Sequence, residues 1–218
     1  MTALPDDSVL TDKGLAPAQT AGRVLIIGCG ALAREILAVL EVNGFSHIDL
    51  TCLPAILHNH PDRICDAVRE AVGRYRKDYD TIHLAYADCG TGGELFDLCK
   101  DLGIDMLQGP HCYSFFEGNT AFERRSEDEF DVFFLTDFLT RQFDAFVWKP
   151  LGLDRHPELR DMYFGNYRKL VYQAQTDDPA LDAKARDCAA RLGLEYERRF
   201  TGYGDLAKAV RSWGEATT

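Results

Sequence analysis

A chain of 218 residues, 46% hydrophobic and 27% charged, has a globular composition and the length of one α/β domain or two small ones. Its 24 basic residues against 35 acidic ones leave a net charge of −11, a field that repels phosphate backbones, so neither nucleic acid nor a membrane surface is an expected partner. No apolar run reaches the ~18 residues of a spanning helix, and two acids precede any apolar stretch, so the simplest reading places the chain in the cytoplasm.

Residues 1–21, rich in Asp, Thr, Ala and Pro, read as a flexible lead-in without periodicity, and 22–218 as one domain. The all-apolar run 24–27 has the look of a buried parallel strand and ends on Gly28-Cys29-Gly30. A helix follows over 31–42, with Leu32, Ile36, Leu37 and Leu40 on one face and Gly44 as its stop. Residues 48–51 predict a second strand running into Cys52, and 61–75 a helix with Pro in its first turn. A third strand over 81–86 ends on Asp88-Cys89-Gly90; the helix after it carries Leu95, Leu98 and Leu102 and closes at Gly103. A fourth short strand over 104–107 leads to Gly109-Pro110-His111-Cys112. The stretch 130–148 reads as helical, with Phe133, Phe134, Phe138, Phe143 and Phe146 as a packing face interrupted by Thr136, Asp137 and Arg141. A core strand at 169–173, a helix at 180–192, an edge strand at 195–199 and a terminal helix at 206–213 complete the series. Alternating strands and helices predict a single doubly wound, Rossmann-like α/β domain with a mostly parallel sheet and helices on both faces.

Seven cysteines are many for a reducing compartment, where they do not form a disulfide framework. Cys65, Cys99 and Cys188 fall inside amphipathic helices and read as core filling. Cys29, Cys52, Cys89 and Cys112 fall where strands end, and in an open parallel sheet the carboxyl ends of the strands line the ligand crevice. Thiolates gathered there suit zinc, or a [4Fe-4S] cluster, and three ligands with one open position make a reactive metal rather than a structural one. No CxxC pair is present, which argues against a zinc ribbon. His58 or His111 is expected near the site as a fourth ligand or acid/base, and Asp88 as an acid/base or as a hydrogen-bond partner to a metal ligand. Gly28, Gly30, Gly90 and Gly92 leave room for close approach and free amides for an anion; Arg168 is a candidate bidentate clamp on a carboxylate or phosphate.

A competing motif uses the same turn. Gly28-Cys29-Gly30-Ala31-Leu32-Ala33 fits G-x-G-x-x-A between a strand and a helix, and Asp49 follows in the next strand, so a nucleotide- or phosphate-binding protein without metal is the alternative.

The segments CGALAREI, LHNHPDRI, YADCGTGG, GPHCYSFF, FFLTDFLTRQFD, GLDRHPEL and YFGNYRKLVYQAQ together resemble the domain of unknown function 1638 family, over about residues 23–205. The resemblance implies a bacterial or archaeal α/β protein whose genes often neighbour those of corrinoid-dependent methyl transfer. It implies a corrinoid protein or methyltransferase as partner, and gives weight to the CGALA, YADCG and PHC segments rather than to Cys52. The leading expectation is a metal-dependent enzyme with Cys29, Cys89 and Cys112 around one zinc, acting on a small-molecule substrate by methyl or other group transfer, or as a [4Fe-4S] lyase or desulfidase.

Overall fold

A computed structural model describes residues 4–18, 22–126 and 128–216, and the chain divides into two compact units, Met1–Phe115 with Asp205–Thr218, and Phe116–Gly204. The α/β class and the parallel strands stand as expected, but the strands belong to two sheets rather than one.

In the first unit, helix α1 (Asp7–Asp12) occupies part of the stretch read as an unstructured lead-in, whose residues 1–3 and 19–21 lie outside the described ones. Asp6 caps α1 by accepting from the amides of Ser8 (2.8 Å) and Val9 (3.4 Å), and Leu10 is fully buried. Strand β1 (Gly22–Cys29) is followed by a 3-10 turn over Gly30–Leu32 and helix α2 (Ala33–Asn43). Strand β2 (Ile48–Leu53) leads through 3-10 turns at Ala55–Asn59 and Pro61–Arg63 into helix α3 (Ile64–Tyr75). Strand β3 (Tyr79–Ala85), helix α4 (Glu94–Leu102), the two-residue strand β4 (Asp105–Met106) and helix α5 (Cys112–Glu117) come next.

The sheet order is β2-β1-β3-β4, all parallel, so β1 and β3 lie side by side with their carboxyl ends at one edge. β1 is apolar on both faces because both are covered: Val24, Leu25, Ile26 and Ile27 are fully buried, as are Ile36 of α2 and Ile64 and Val68 of α3. A closing helix, Gly204–Glu215, stacks Trp213 on His83 at 4.7 Å.

In the second unit, helix α6 (Asn119–Ser126), strand β5 (Val132–Leu135), helix α7 (Asp137–Arg141), a π turn at Asp144–Trp148, helix α8 (Arg160–Phe164), strand β6 (Lys169–Ala174), helix α9 (Pro179–Leu192) and strand β7 (Glu195–Phe200) build a parallel sheet in the order β5-β6-β7. Strand β5 replaces the first part of the helix expected over 130–148. Four consecutive apolar residues fit either period, and pairing of Phe133 with Leu170 and Leu135 with Tyr172 decides for the strand. Asp137, one of the polar residues interrupting the aromatic face, is buried. It accepts from the Tyr172 hydroxyl (2.7 Å) and the amides of Gln175 (3.0 Å) and Thr176 (3.1 Å), tying the ends of β5 and β6 together.

Candidate thiolate site at the carboxyl ends of the strands

Beyond β3, the amides of Asp88 and Cys89 donate to the carbonyls of Gly109 (3.1 Å) and Pro110 (3.2 Å), stitching the loop after β3 to the loop after β4. Cys89 adopts φ = 49°, the one non-glycine residue of the described chain in the left-handed region, where an L side chain costs ~1–2 kcal/mol. That turn, followed by Gly90, aims the Cys89 sulfur back at the first residue of α5, and the Sγ atoms of Cys89 and Cys112 stand 3.6 Å apart. Cys29 ends β1 next door. Electrostatic interaction couples each of the three thiols to the other two.

The Cys112 thiol donates to Cys89, and with the imidazole of His58 it outweighs burial and holds Cys89 well below the usual thiol range. Cys112 moves the other way, raised by that same contact and by burial. Cys29 is pushed up to about 12 by burial and by the negative charge on Cys89, so it stays a thiol. Cys89 is buried, while Cys112 is half-buried and the more open of the two.

His58 lies in the 3-10 turn after β2 and interacts with Cys89 directly. His111 stacks on Tyr113 at 4.8 Å; burial lowers its pKa against the opposing pull of Cys89. Both histidines therefore lie within interaction range of Cys89. Among the described residues, no group of three or more His, Cys, Asp or Glu side chains is arranged to hold a metal ion.

Several expected residues do other work. Asp88 accepts from the Thr91 hydroxyl (2.8 Å) and the amides of Gly93 (2.7 Å) and Gly92 (3.2 Å), so its carboxylate braces the loop, and the Gly92 amide is spent on it rather than offered to an anion. Burial works to raise its pKa, but those hydrogen bonds prevail and lower it. A β-carbon on Gly90 would rest on Pro61 at 3.5 Å, ordinary contact; what needs glycine there is φ = 85°.

The nucleotide turn is filled from within. A β-carbon on Gly30 would lie 2.4 Å from the Leu10 carbonyl oxygen, and Gly28 is buried against Ile36 and Cys52, so the chain's own atoms take the close approach a pyrophosphate requires. Asp49 sits near the start of β2, away from the carboxyl edge, and accepts from the Tyr79 hydroxyl at 3.1 Å. Cys52 lies within β2, where its amide and carbonyl bond Leu15. Arg168 belongs to the second unit, just before β6, and pairs with Asp131 (3.0 Å) and Glu195 (3.6 Å); a carboxylate clamp is already occupied there.

Sequence reasoning missed Tyr86. It lies one residue past β3, is 2% exposed, and its hydroxyl has no hydrogen-bond partner of regular geometry. Its strongest ionisable neighbour is Cys29, followed by Cys89 and Cys112. The available signal was a phenol in an otherwise small, apolar strand end, Ala85-Tyr86-Ala87. Cys29 offers it only a weakly placed sulfur, and a buried hydroxyl so poorly satisfied can turn to a bound group.

Fold and site together define an α/β protein with a thiol-lined site at the carboxyl edge of a parallel sheet. The chain belongs to the family described as "Protein of unknown function (DUF1638)", whose model matches residues 52–210. The matched span contains His58, Tyr86, Cys89, His111 and Cys112; it begins after Cys29, so the CGALAREI segment lies outside it. No solved structure matches the chain.

Proposed function

We propose that the protein is a group-transfer enzyme that works through the Cys89 thiolate. The observation carrying this is the 3.6 Å approach of the Cys112 and Cys89 sulfurs beside His58, an arrangement that stabilises a thiolate inside a negatively charged chain. A thiolate is a soft nucleophile, suited to attack on an alkyl, acyl or sulfur electrophile of a small molecule. In such a step a C–X bond breaks as a C–S bond to Cys89 forms, and X leaves with a proton from the neighbouring imidazoles or water. Tyr86, whose buried hydroxyl meets Cys29 without a hydrogen bond of regular geometry, would supply a hydrogen bond to the bound group. A methyl-bearing corrinoid protein or methyltransferase fits as the partner in this chemistry.

Zinc is the second reading. Two thiolates on one zinc with bonds of about 2.3 Å stand about 3.8 Å apart along a tetrahedral edge, close to the 3.6 Å seen between Cys89 and Cys112. A [4Fe-4S] cluster fits less well, because each thiolate then caps a different iron and the sulfurs spread farther apart. Cys89 and Cys112 would hold the zinc; Cys29 and His58 or His111 would have to move in to complete it, since no three such groups are so arranged among the described residues, and the metal would supply Lewis acidity to the same transfer.

Limited alkylation with iodoacetamide near neutral pH, mapped by mass spectrometry, tests both readings. Cys89 labels ahead of Cys65, the half-buried thiol on α3, and under the zinc reading added zinc protects Cys89 and Cys112 together. Labelling confined to Cys65, Cys99 or Cys188 contradicts the thiolate site.

A further inference from the structure

We propose that Cys89 and Cys112 form a reversible dithiol–disulfide couple that takes a small hydroperoxide as its oxidant. Closing the sulfurs from 3.6 Å to a bond of about 2.0 Å needs a movement of about 1.6 Å, within the reach of side-chain rotation and a small loop shift. The two loops that carry them are already bonded at Asp88–Gly109 and Cys89–Pro110, so a crosslink would join segments that are held together without it. As residues, Cys89 is buried and Cys112 half-buried, so the pair lies just below the surface.

The chemistry balances in two steps. The Cys89 sulfur attacks the distal peroxide oxygen; the O–O bond breaks, the sulfur loses two electrons to become a sulfenic acid, and the alkoxide leaves as an alcohol with a proton from water. The Cys112 sulfur then attacks that sulfenic sulfur; the S–O bond breaks, the S–S bond forms, and hydroxide leaves with the Cys112 proton as water. A small dithiol returns the couple to two thiols.

This inference rests on the Cys89 nucleophile proposed above, and the test separates the two. The full chain, reduced and freed of metal by a chelator, is treated with a single equivalent of hydrogen peroxide and digested without reductant. The expected product has lost the mass of two hydrogens, carries a peptide linking Cys89 to Cys112, and is restored by dithiothreitol. In Cys112→Ser, Cys89 instead gains one oxygen that dimedone traps. A wild-type Cys89 that gains oxygen without linking, or links to Cys29, overturns the couple. If Cys89 alkylates with iodoacetamide yet never crosslinks, the couple falls and the thiolate reading stands; if it reacts with neither reagent, both fall.

Discussion

The Leu10 carbonyl oxygen sits over Gly30 so closely that a β-carbon there would lie 2.4 Å away. Helix α1 is thereby seated on the glycine turn that a nucleotide would need. Gly30→Ala forces backbone apart from backbone and costs about 1–3 kcal/mol. Added NAD or ATP leaves the melting temperature of the wild-type chain unchanged. A rise in Tm with nucleotide, or a neutral Gly30→Ala, contradicts the filled turn.

Tyr86→Phe removes a buried hydroxyl that has no regular partner. Since an unsatisfied buried group costs about 1–3 kcal/mol, the variant is as stable as the wild type or more so in chemical denaturation. A loss above about 2 kcal/mol means that the hydroxyl already has a strong partner within the protein. The benefit of the hydroxyl is expected in stabilisation by a bound ligand, which the variant loses.

Asp88 carries a pH signature. Its folded pKa lies below the unfolded carboxylate value of about 3.9, because the hydrogen bonds from Thr91, Gly93 and Gly92 outweigh burial. It therefore contributes stability above that value and loses it as pH falls through the folded one. Asp88→Asn lowers stability by about 1–2 kcal/mol at neutral pH, and the gap narrows on acidification. A gap that stays constant into the acid range rules out this role.

In the second unit, Asp137→Ala strands the Tyr172 hydroxyl and the amides of Gln175 and Thr176 without an acceptor. The expected cost is about 3 kcal/mol or more, read by urea denaturation. A cost below about 1 kcal/mol shows that water or a neighbour replaces the carboxylate.

The placement of Cys29 at the end of β1 and of Cys89 in the loop just after β3 was legible in the sequence, because apolar runs broken by Gly-Cys-Gly and Asp-Cys-Gly mark where parallel strands stop. Cys112 was placed less well: it starts helix α5, several residues past β4. What ionises Cys89 was not legible, since the contact with Cys112 depends on a left-handed φ at a non-glycine residue. Tyr86 was invisible for a related reason: orientation, not residue type, puts its hydroxyl among the thiols. Arg168 was misread because its acidic partners Asp131 and Glu195 are distant in sequence and meet it through the pairing of β5, β6 and β7. Strand β5 was hidden by aromatic spacing that imitates a helix.

If Cys89 is a thiolate at neutral pH, the pH profile of its alkylation shows it. Rate alone does not decide: an ordinary thiol of pKa about 8.5 is only ~3% ionised at neutral pH, but nucleophilicity also falls as pKa falls. The profile does decide, when the labelling of Cys89 by iodoacetamide is followed peptide by peptide from acid to alkaline pH. An inflection well below about 8.5 is expected for Cys89, moved back up toward that ordinary thiol value in Cys112→Ser and in His58→Ala. A wild-type inflection at the ordinary thiol value, unmoved by either substitution, would contradict the Cys89 thiolate.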